Sequence, residues 1–144
     1  HQEGDYESSF DYWTRAAELG DATSHLKLAG CFYRGGEGVE KDQKRELYHL
    51  EEAAIAGHPD ARYMLGNHEG TKGRFDRAAK HWIIAASHGL DASIEMLKKC
   101  YVNGLVSKED FAAALRAHQA AVDATKSPQR EIVPTFYNSK SNFN

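Results

Sequence analysis

Apolar residues recur along the chain at the spacing of an α-helix. From Ala22 to Tyr33, the positions Ser24, Leu28 and Phe32 lie four residues apart and form one small or apolar face. The next amphipathic segment has its inward positions at Leu47, Leu50, Ala53 and Ala54. No segment shows the alternation that is typical of a half-buried strand. The pattern therefore predicts an all-α protein.

Polar residues and glycines mark where these helices begin and end. Asp42 is placed to cap the second of the two segments, and Gly57 to end it in the C′ position. The same reasoning predicts further helices near 60–69, 74–87, 92–103 and 108–124, the last with a capping box of Ser107 and Asp110. At the front, Ser8 or Ser9 is expected to cap a helix whose inward residues are Phe10, Trp13 and Ala17.

A short motif repeats along the chain. Ala-Ala-x-x-Gly occurs three times, ending at Gly20, Gly57 and Gly89, so its copies are 37 and 32 residues apart (20 to 57 and 57 to 89). A weaker fourth copy ends at Ala124. Near-regular self-similarity at this period indicates stacked supersecondary units. We expect an α-solenoid of antiparallel helix pairs in a right-handed superhelix, with a half repeat followed by about three pairs.

One stretch of the chain reads Leu28-Ala29-x-x-Phe32-x-x-Gly35-Gly36-x-Gly38-Val39-x-x-Asp42, followed by Ala53-Ala54-x-x-Gly57. These positions resemble the Sel-one-like repeat family, a relative of the tetratricopeptide repeat with a longer, glycine-rich loop between its helices. Ala29 departs from the pattern, since the family usually has Gly there, and Leu65-Gly66 restores it one repeat later. The third copy is degenerate, as a solenoid cap would be. The resemblance, over roughly residues 9–124, implies an adaptor or scaffold that binds protein partners, or an accessory subunit of a multi-protein assembly.

Composition narrows the other function classes. The formal net charge is −3 and no basic run stands out, which argues against a nucleic-acid partner. The longest apolar stretches fall far short of the roughly 18 residues that a membrane span needs. The chain opens without an initiator methionine, so we expect a processed product or a fragment of a longer protein.

The residues with catalytic or ligating chemistry form no known catalytic pattern. None of the eight His residues pairs with another at i, i+4, and no phosphate-loop, Rossmann or nucleophile-elbow motif occurs. We therefore predict no enzyme activity, no cofactor and no metal, although an unfamiliar active site would leave no motif. Cys31 and Cys100 occupy the same phase two repeats apart, too far for a disulfide, and should be free thiols in buried positions. Some secreted members of the family that this chain resembles carry a disulfide in each helix pair, and the lack of paired cysteines here leans toward a reducing intracellular compartment, without fixing the localisation.

In related solenoids the first helix of each pair lines the concave face. Transferring those positions to this chain predicts partner-binding residues at Tyr33, Arg34, Tyr63, Asn67 and Lys99. Tyr and Arg contribute disproportionately to interface energies. The alternative for Tyr63 is that it only packs inside the solenoid. A binding module for a small or polymeric ligand such as a glycan is the second functional interpretation, which a cleft with several aromatics and no extended groove would favour.

The pattern predicts three parts of the chain. Residues 1–8 form an N-terminal extension, residues 9–126 the solenoid, and residues 127–144 a non-helical tail that begins at Ser127-Pro128. The tail residues expected to make contacts are Ile132, Val133, Phe136 and Tyr137. We hypothesise that they lie across a neighbouring subunit rather than in the chain's own groove.

Overall fold

Seven helices make up the part of the chain that the structure describes. This computed structural model describes the backbone of residues 3–142 and the side chains of residues 9–126. The helices are α1 (Glu3–Glu18), α2 (Ala22–Arg34), α3 (Gln43–Ile55), α4 (Pro59–Thr71), α5 (Phe75–Ser87), α6 (Asp91–Val102) and α7 (Lys108–Asn142). The only β-type pairing within these residues is one bridge between Gly36 and Val39 in the loop after α2. The predicted all-α fold class is confirmed.

The helices follow one another as antiparallel pairs, α2 with α3, α4 with α5 and α6 with α7, and α1 packs on α2 as the second helix of a preceding pair. The repeated motif ends α1, α3 and α5 in the same way. Gly57 takes a φ of 96°, its N–H donates to the carbonyl of Ala54, and the N–H of His58 donates to that of Ala53. Gly20 and Gly89 repeat this geometry with φ 91° each. The two alanine carbonyls thus receive the closing bonds of a Schellman motif, which requires the left-handed glycine.

Two predicted caps are present. The backbone N–H of Arg45 donates to Asp42 Oδ1 at 3.1 Å, and that of Asp110 donates to Ser107 Oγ at 3.0 Å. The prediction that Ser8 or Ser9 caps the first helix is wrong, because α1 begins at Glu3 and both serines lie within it. Acidic residues in the first turns favour a helix N-terminus through the helix dipole. The extension predicted for residues 1–8 is therefore helical from Glu3.

The end of the chain also departs from expectation. Helix α7 continues to Asn142, so the non-helical tail predicted after Ser127 is corrected over residues 127–142. Pro128 and Pro134 lie within this helix, where neither has a backbone N–H to donate, and no glycine follows them to end it. The side chains of Ile132, Val133, Phe136 and Tyr137 lie outside the described residues, and the hypothesis that they cover a neighbouring subunit stays a prediction.

The buried apolar residues form two clusters. The front core, from α2, α3 and α4, consists of Ala29, Leu50, Ala53, Ala54, Ala61 and Leu65. The rear core, from α5, α6 and α7, consists of Ala78, Ala79, Trp82, Ala86, Leu97, Cys100 and Ala114. Alanine dominates both because helices that approach within about 8–10 Å leave room only for small side chains at the crossing. Cys31 and Cys100 are both buried and unbonded to each other, as predicted.

At one pair of equivalent positions, the two cores fill the space between neighbouring helices with residues of different sizes. A Cβ added to Gly66 would lie 2.4 Å from Trp82 Nε1, so only glycine lets the indole pack against α4. The equivalent pair one repeat earlier is Ala29 and Leu50, a larger residue on the first helix opposite a smaller one on the second. The departure of Ala29 from the family pattern is therefore matched by its packing partner.

Candidate partner-binding surfaces

A groove lies between α2 and α4 on the face formed by the first helices of the pairs. Its volume is about 370 Å³, and we call it the α2–α4 groove. It is lined by Leu26, Ala29, Gly30, Tyr33, Arg34, Glu46, Leu50, Met64, Asn67 and His68. Tyr33 is 65% exposed at its edge. The Arg34 guanidinium packs over Gly30, where an added Cβ would lie 3.1 Å from Nη1. The groove therefore presents a tyrosine and an arginine that no other side chain covers completely.

The predicted binding residues are distributed over two adjoining hollows. Tyr33, Arg34 and Asn67 line the α2–α4 groove. Tyr63 and Asn67 line a second hollow of about 350 Å³ next to Trp82, so Asn67 borders both. Tyr63 also packs against the rear core, which gives support to its packing role. Lys99 is exposed on α6 and lines neither of these two hollows. The part of these residues in binding stays a prediction.

Asn67 is oriented by the core beneath it. Trp82 Nε1 donates to Asn67 Oδ1 at 3.2 Å, and Trp82 is only 2% exposed. With its oxygen engaged, the amide keeps its NH₂ group as the donor for a ligand. A buried tryptophan thus sets the polarity that Asn67 presents to both hollows.

A hydrogen-bonded histidine–carboxylate pair under the α2–α4 groove was not predicted from the sequence. His68 Nε2 lies 3.0 Å from Glu46 Oε2, and Glu46 is only 7% exposed. Both residues occupy positions that hold buried small apolar residues in other repeats: His68 aligns with Cys31 and Cys100, and Glu46 with Ala78. Two polar residues at apolar repeat positions were the signal that could have located this pair.

A third hollow lies between α1 and α3, over α2, and we call it the α1–α3 cleft. It measures about 600 Å³ and is lined by Phe10, Thr14, Ala17, Glu18, Gly20, His25, Leu28, Phe32, Arg45, Tyr48, His49 and Glu52. An adjoining hollow of about 440 Å³ extends it along the loop after α2, with Asp11, Glu37, Gly38, Val39, Glu40 and Asp42. No sequence motif pointed to this cleft.

A histidine pair forms one wall of the α1–α3 cleft. The Nδ1 atoms of His25 and His49 lie 3.0 Å apart, and the Phe32 ring stacks on His49 with a centroid distance of 5.7 Å. Burial lowers the pKa of His49 to about 4, and the positive charges of His25 and Arg45 contribute in the same direction. His49 is therefore neutral at physiological pH. The pKa of His81, at the same repeat position, is also lowered, by burial first and then by Arg62.

The depressed pKa of His49 predicts an acid-sensitive fold. In the unfolded chain this imidazole takes up a proton near pH 6.5, but in the folded chain only near 4. The unfolded state binds more protons in that window, so stability falls as the pH drops through it. Allowing for partial solvent exposure, we expect protonation of His49 to lower the free energy of unfolding by about 1–2 kcal/mol. Urea unfolding of the wild type and His49→Gln at pH 7.5 and 4.5 measures it.

The substitution should reduce the loss of stability on acidification, because glutamine cannot titrate. His88→Gln, at an exposed histidine, is the matched control. It should lose as much stability between pH 7.5 and 4.5 as the wild type does. Equal acid sensitivity of His49→Gln and the wild type would contradict the assignment.

The structure is that of a helical repeat protein, with tandem antiparallel helix pairs, a common glycine motif that ends the second helices, and hollows along both sets of helices. The Sel1 repeat model matches residues 2–21, 22–58 and 59–90. The chain belongs to the Sel1 repeat family. The third pair, α6 and α7, lies beyond these matched residues but continues the same stacking.

Relatives with a similar sequence include two named proteins. The chain is 29% identical to chitin synthase regulatory factor 4 of Schizosaccharomyces pombe, over 62% of this chain and 14% of that protein. It is 27% identical to DAP3-binding cell death enhancer 1 of Mus musculus, over 94% of this chain and 34% of that protein. The chain thus spans 14% and 34% of the length of these relatives.

Solved structures share the fold. A Sel1 repeat protein from Oxalobacter formigenes superposes with a TM-score of 0.63 at 27% identity, over 83% of this chain and 50% of the other. The antigen c5321 of uropathogenic Escherichia coli, which displays an SLR fold, gives a TM-score of 0.62 at 21% identity, over 76% of this chain and 25% of the other. These matches confirm the predicted solenoid.

Three further findings concern the described residues alone. Within them, no group of three or more His, Cys, Asp or Glu side chains is arranged to hold a metal ion. Over the same part of the chain, no helix combines the length and apolar character needed to cross a membrane. Burial raises the pKa of the Cys100 thiol, which makes it a poor nucleophile.

Proposed function

We propose that this chain is a non-catalytic protein-protein interaction module that acts as an adaptor, a scaffold or an accessory subunit of a multi-protein assembly. The observation that carries the proposal is the α2–α4 groove. It combines an exposed tyrosine, an arginine and an amide with a fixed orientation. Aromatic and arginine anchors beside a partly apolar groove are the usual centre of a protein interface.

The relatives support this class of function. One is named as a regulatory factor and another for binding a protein, DAP3. Neither of these names describes an enzyme. A module whose stability comes from stacking and whose surface offers anchors is suited to bringing other proteins together.

The shape of the site favours a protein over a glycan. The α2–α4 groove and the hollow beside Trp82 adjoin at Asn67 and together extend along α2, α4 and α6. The largest aromatic residue there, Trp82, is buried and cannot offer its face to a sugar ring. An extended path with separate anchors fits a peptide segment.

The test is a binding measurement on an identified partner. Native mass determination of the assembly from its source, with identification of the bound components, supplies the partner. Its affinity is then measured for the full chain and for the double variant Tyr33→Ala/Arg34→Glu. We expect the variant to bind at least about tenfold more weakly, since hot-spot truncations cost about 2 kcal/mol or more.

Arg116→Glu, a charge reversal at an exposed site on α7, is the matched control and should bind like the wild type. A partner that binds both variants equally would remove the groove from the interface. Recovery of the chain as a clean monomer that binds an immobilised glycan would favour the ligand-binding alternative.

A further inference from the structure

The α1–α3 cleft arises from unequal packing of successive second helices. At the other end of the solenoid, the corresponding helices α5 and α7 pack directly on each other. Among the described residues, neither α1 and α3 nor α3 and α5 pack on each other to a comparable extent, and the cleft of about 600 Å³ lies between α1 and α3. The floor is formed by α2, through Leu28 and Phe32. Two neighbouring repeats are therefore separated by a space large enough for a bulky side chain.

The floor and walls of the α1–α3 cleft are apolar and aromatic. The rings of Phe10 and Phe32 meet edge to face at 6.0 Å. Tyr48 stands at the edge and is 54% exposed. The histidine pair adds two more rings, of which that of His49 is kept neutral by burial. Such a surface gains free energy when an aromatic or branched aliphatic group covers it.

The rim carries strong negative charge. The residues that line the cleft and its extension include six carboxylates, at Asp11, Glu18, Glu37, Glu40, Asp42 and Glu52. Arg45 is the one Lys or Arg among the described residues lining them, and it is already engaged. Its Nε lies 3.5 Å from Asp42 Oδ2, and its guanidinium covers the Phe32 ring at 5.6 Å. The carboxylates outside that pair are left to attract cations from a ligand.

We propose that the α1–α3 cleft is a second docking site, which binds a cationic peptide segment of a partner protein. The segment has one aromatic or branched aliphatic anchor flanked by Lys or Arg. The anchor lies on the floor beside Phe10 and Tyr48, and the flanking cations pair with the carboxylates of the rim. An acidic segment or a nucleic acid would face like charges here and is disfavoured.

This site goes beyond the α2–α4 groove because the two surfaces use different faces of α3. Arg45 lines the cleft, whereas its neighbour Glu46 lines the groove. One chain thus offers a groove for one partner and a cleft for a second, with α3 between them.

The experiment uses the full chain and short fluorescent peptides. The first peptide has a central Trp-Leu pair flanked on both sides by Lys and Arg. The second keeps the cations and replaces Trp-Leu with Gly-Ser, and the third keeps Trp-Leu and replaces the cations with Glu. Fluorescence anisotropy should show saturable binding of the first peptide, at least tenfold weaker binding of the second and none of the third. The affinity should fall as salt is raised.

Variants locate the site. Glu37→Lys/Glu40→Lys and, separately, Tyr48→Ser should each weaken binding of the first peptide at least tenfold. Both sites are exposed, so these variants should keep the helical circular dichroism of the wild type. Glu95→Lys/Asp123→Lys makes the same change of net charge at exposed positions on α6 and α7, and should leave the affinity unchanged.

Several outcomes overturn the proposal. Equal weakening by the two charge-reversal variants would show that only net charge matters, and equal binding of the first two peptides would remove the anchor. Displacement of the first peptide by a synthetic peptide of residues 127–144 at lower concentration would assign the cleft to a second copy of this chain instead. Tyr33→Ala/Arg34→Glu should retain peptide binding, which separates failure of this site from failure of the α2–α4 groove.

Discussion

Trp82→Ala is expected to lower the free energy of unfolding by about 3–5 kcal/mol, the usual cost of removing a large buried side chain. The indole is 2% exposed, belongs to the rear core and lies directly over Gly66 of α4. Its removal leaves a cavity between α4 and α5 and also breaks the bond that orients Asn67. Urea unfolding followed by far-ultraviolet circular dichroism measures the loss.

An exposed aromatic residue provides the control. Tyr12→Ala, at a side chain that is 63% exposed on α1, should change stability by no more than about 0.5 kcal/mol. A loss from Trp82→Ala no greater than that from Tyr12→Ala would show that the indole does not hold the α4–α5 pair together.

Gly66→Ala is expected to destabilise the protein by about 1–3 kcal/mol, although alanine is the better helix former. Its methyl group would fall 2.4 Å from the indole nitrogen, and the buried ring has no room to move away. The first repeat indicates the remedy, because Ala29 there faces Leu50. Adding Trp82→Leu to Gly66→Ala should therefore cost less than the sum of the two single changes.

A double-mutant cycle in urea tests this coupling. The signature is a favourable interaction energy between the two substitutions. Gly70→Ala is a matched control on the same helix, since its Cβ would stand 3.4 Å from the indole, close to ordinary contact, and should cost less than Gly66→Ala. Additive effects of Gly66→Ala and Trp82→Leu would contradict the size exchange.

Most of the helix boundaries followed from local chemistry. Asp42 and Ser107 cap helices as predicted, and the glycines end α1, α3 and α5, because each signal acts within one turn of the chain. The two ends were mispredicted for the same reason. Serines that resemble caps lie within α1, and Pro128 lies within α7. A capping residue or a proline shows where a helix can end. It does not predict whether the turns on either side continue the helix through that position.

The proposed binding surfaces were only partly predictable. The repeat positions located Tyr33, Arg34 and Asn67 on one groove, because equivalent positions in a stacked array face the same side. They could not locate the α1–α3 cleft, which results from the spacing between whole helices rather than from any residue's position in its repeat. The Glu46–His68 pair could have been predicted, because both residues are polar at repeat positions that are otherwise apolar.

The two cores give α4 a special place in the solenoid. Its Ala61 and Leu65 belong to the front core, while its Tyr63 packs against the rear one. Helix α4 therefore connects the two cores and sets their relative placement. It also sets the distance between Arg34 on one side and Met96 on the other, both of which border the hollows that meet at Asn67. A partner that spanned both hollows would have to match the curvature that α4 imposes, so its fit would depend on the shape of the solenoid as well as on contacts.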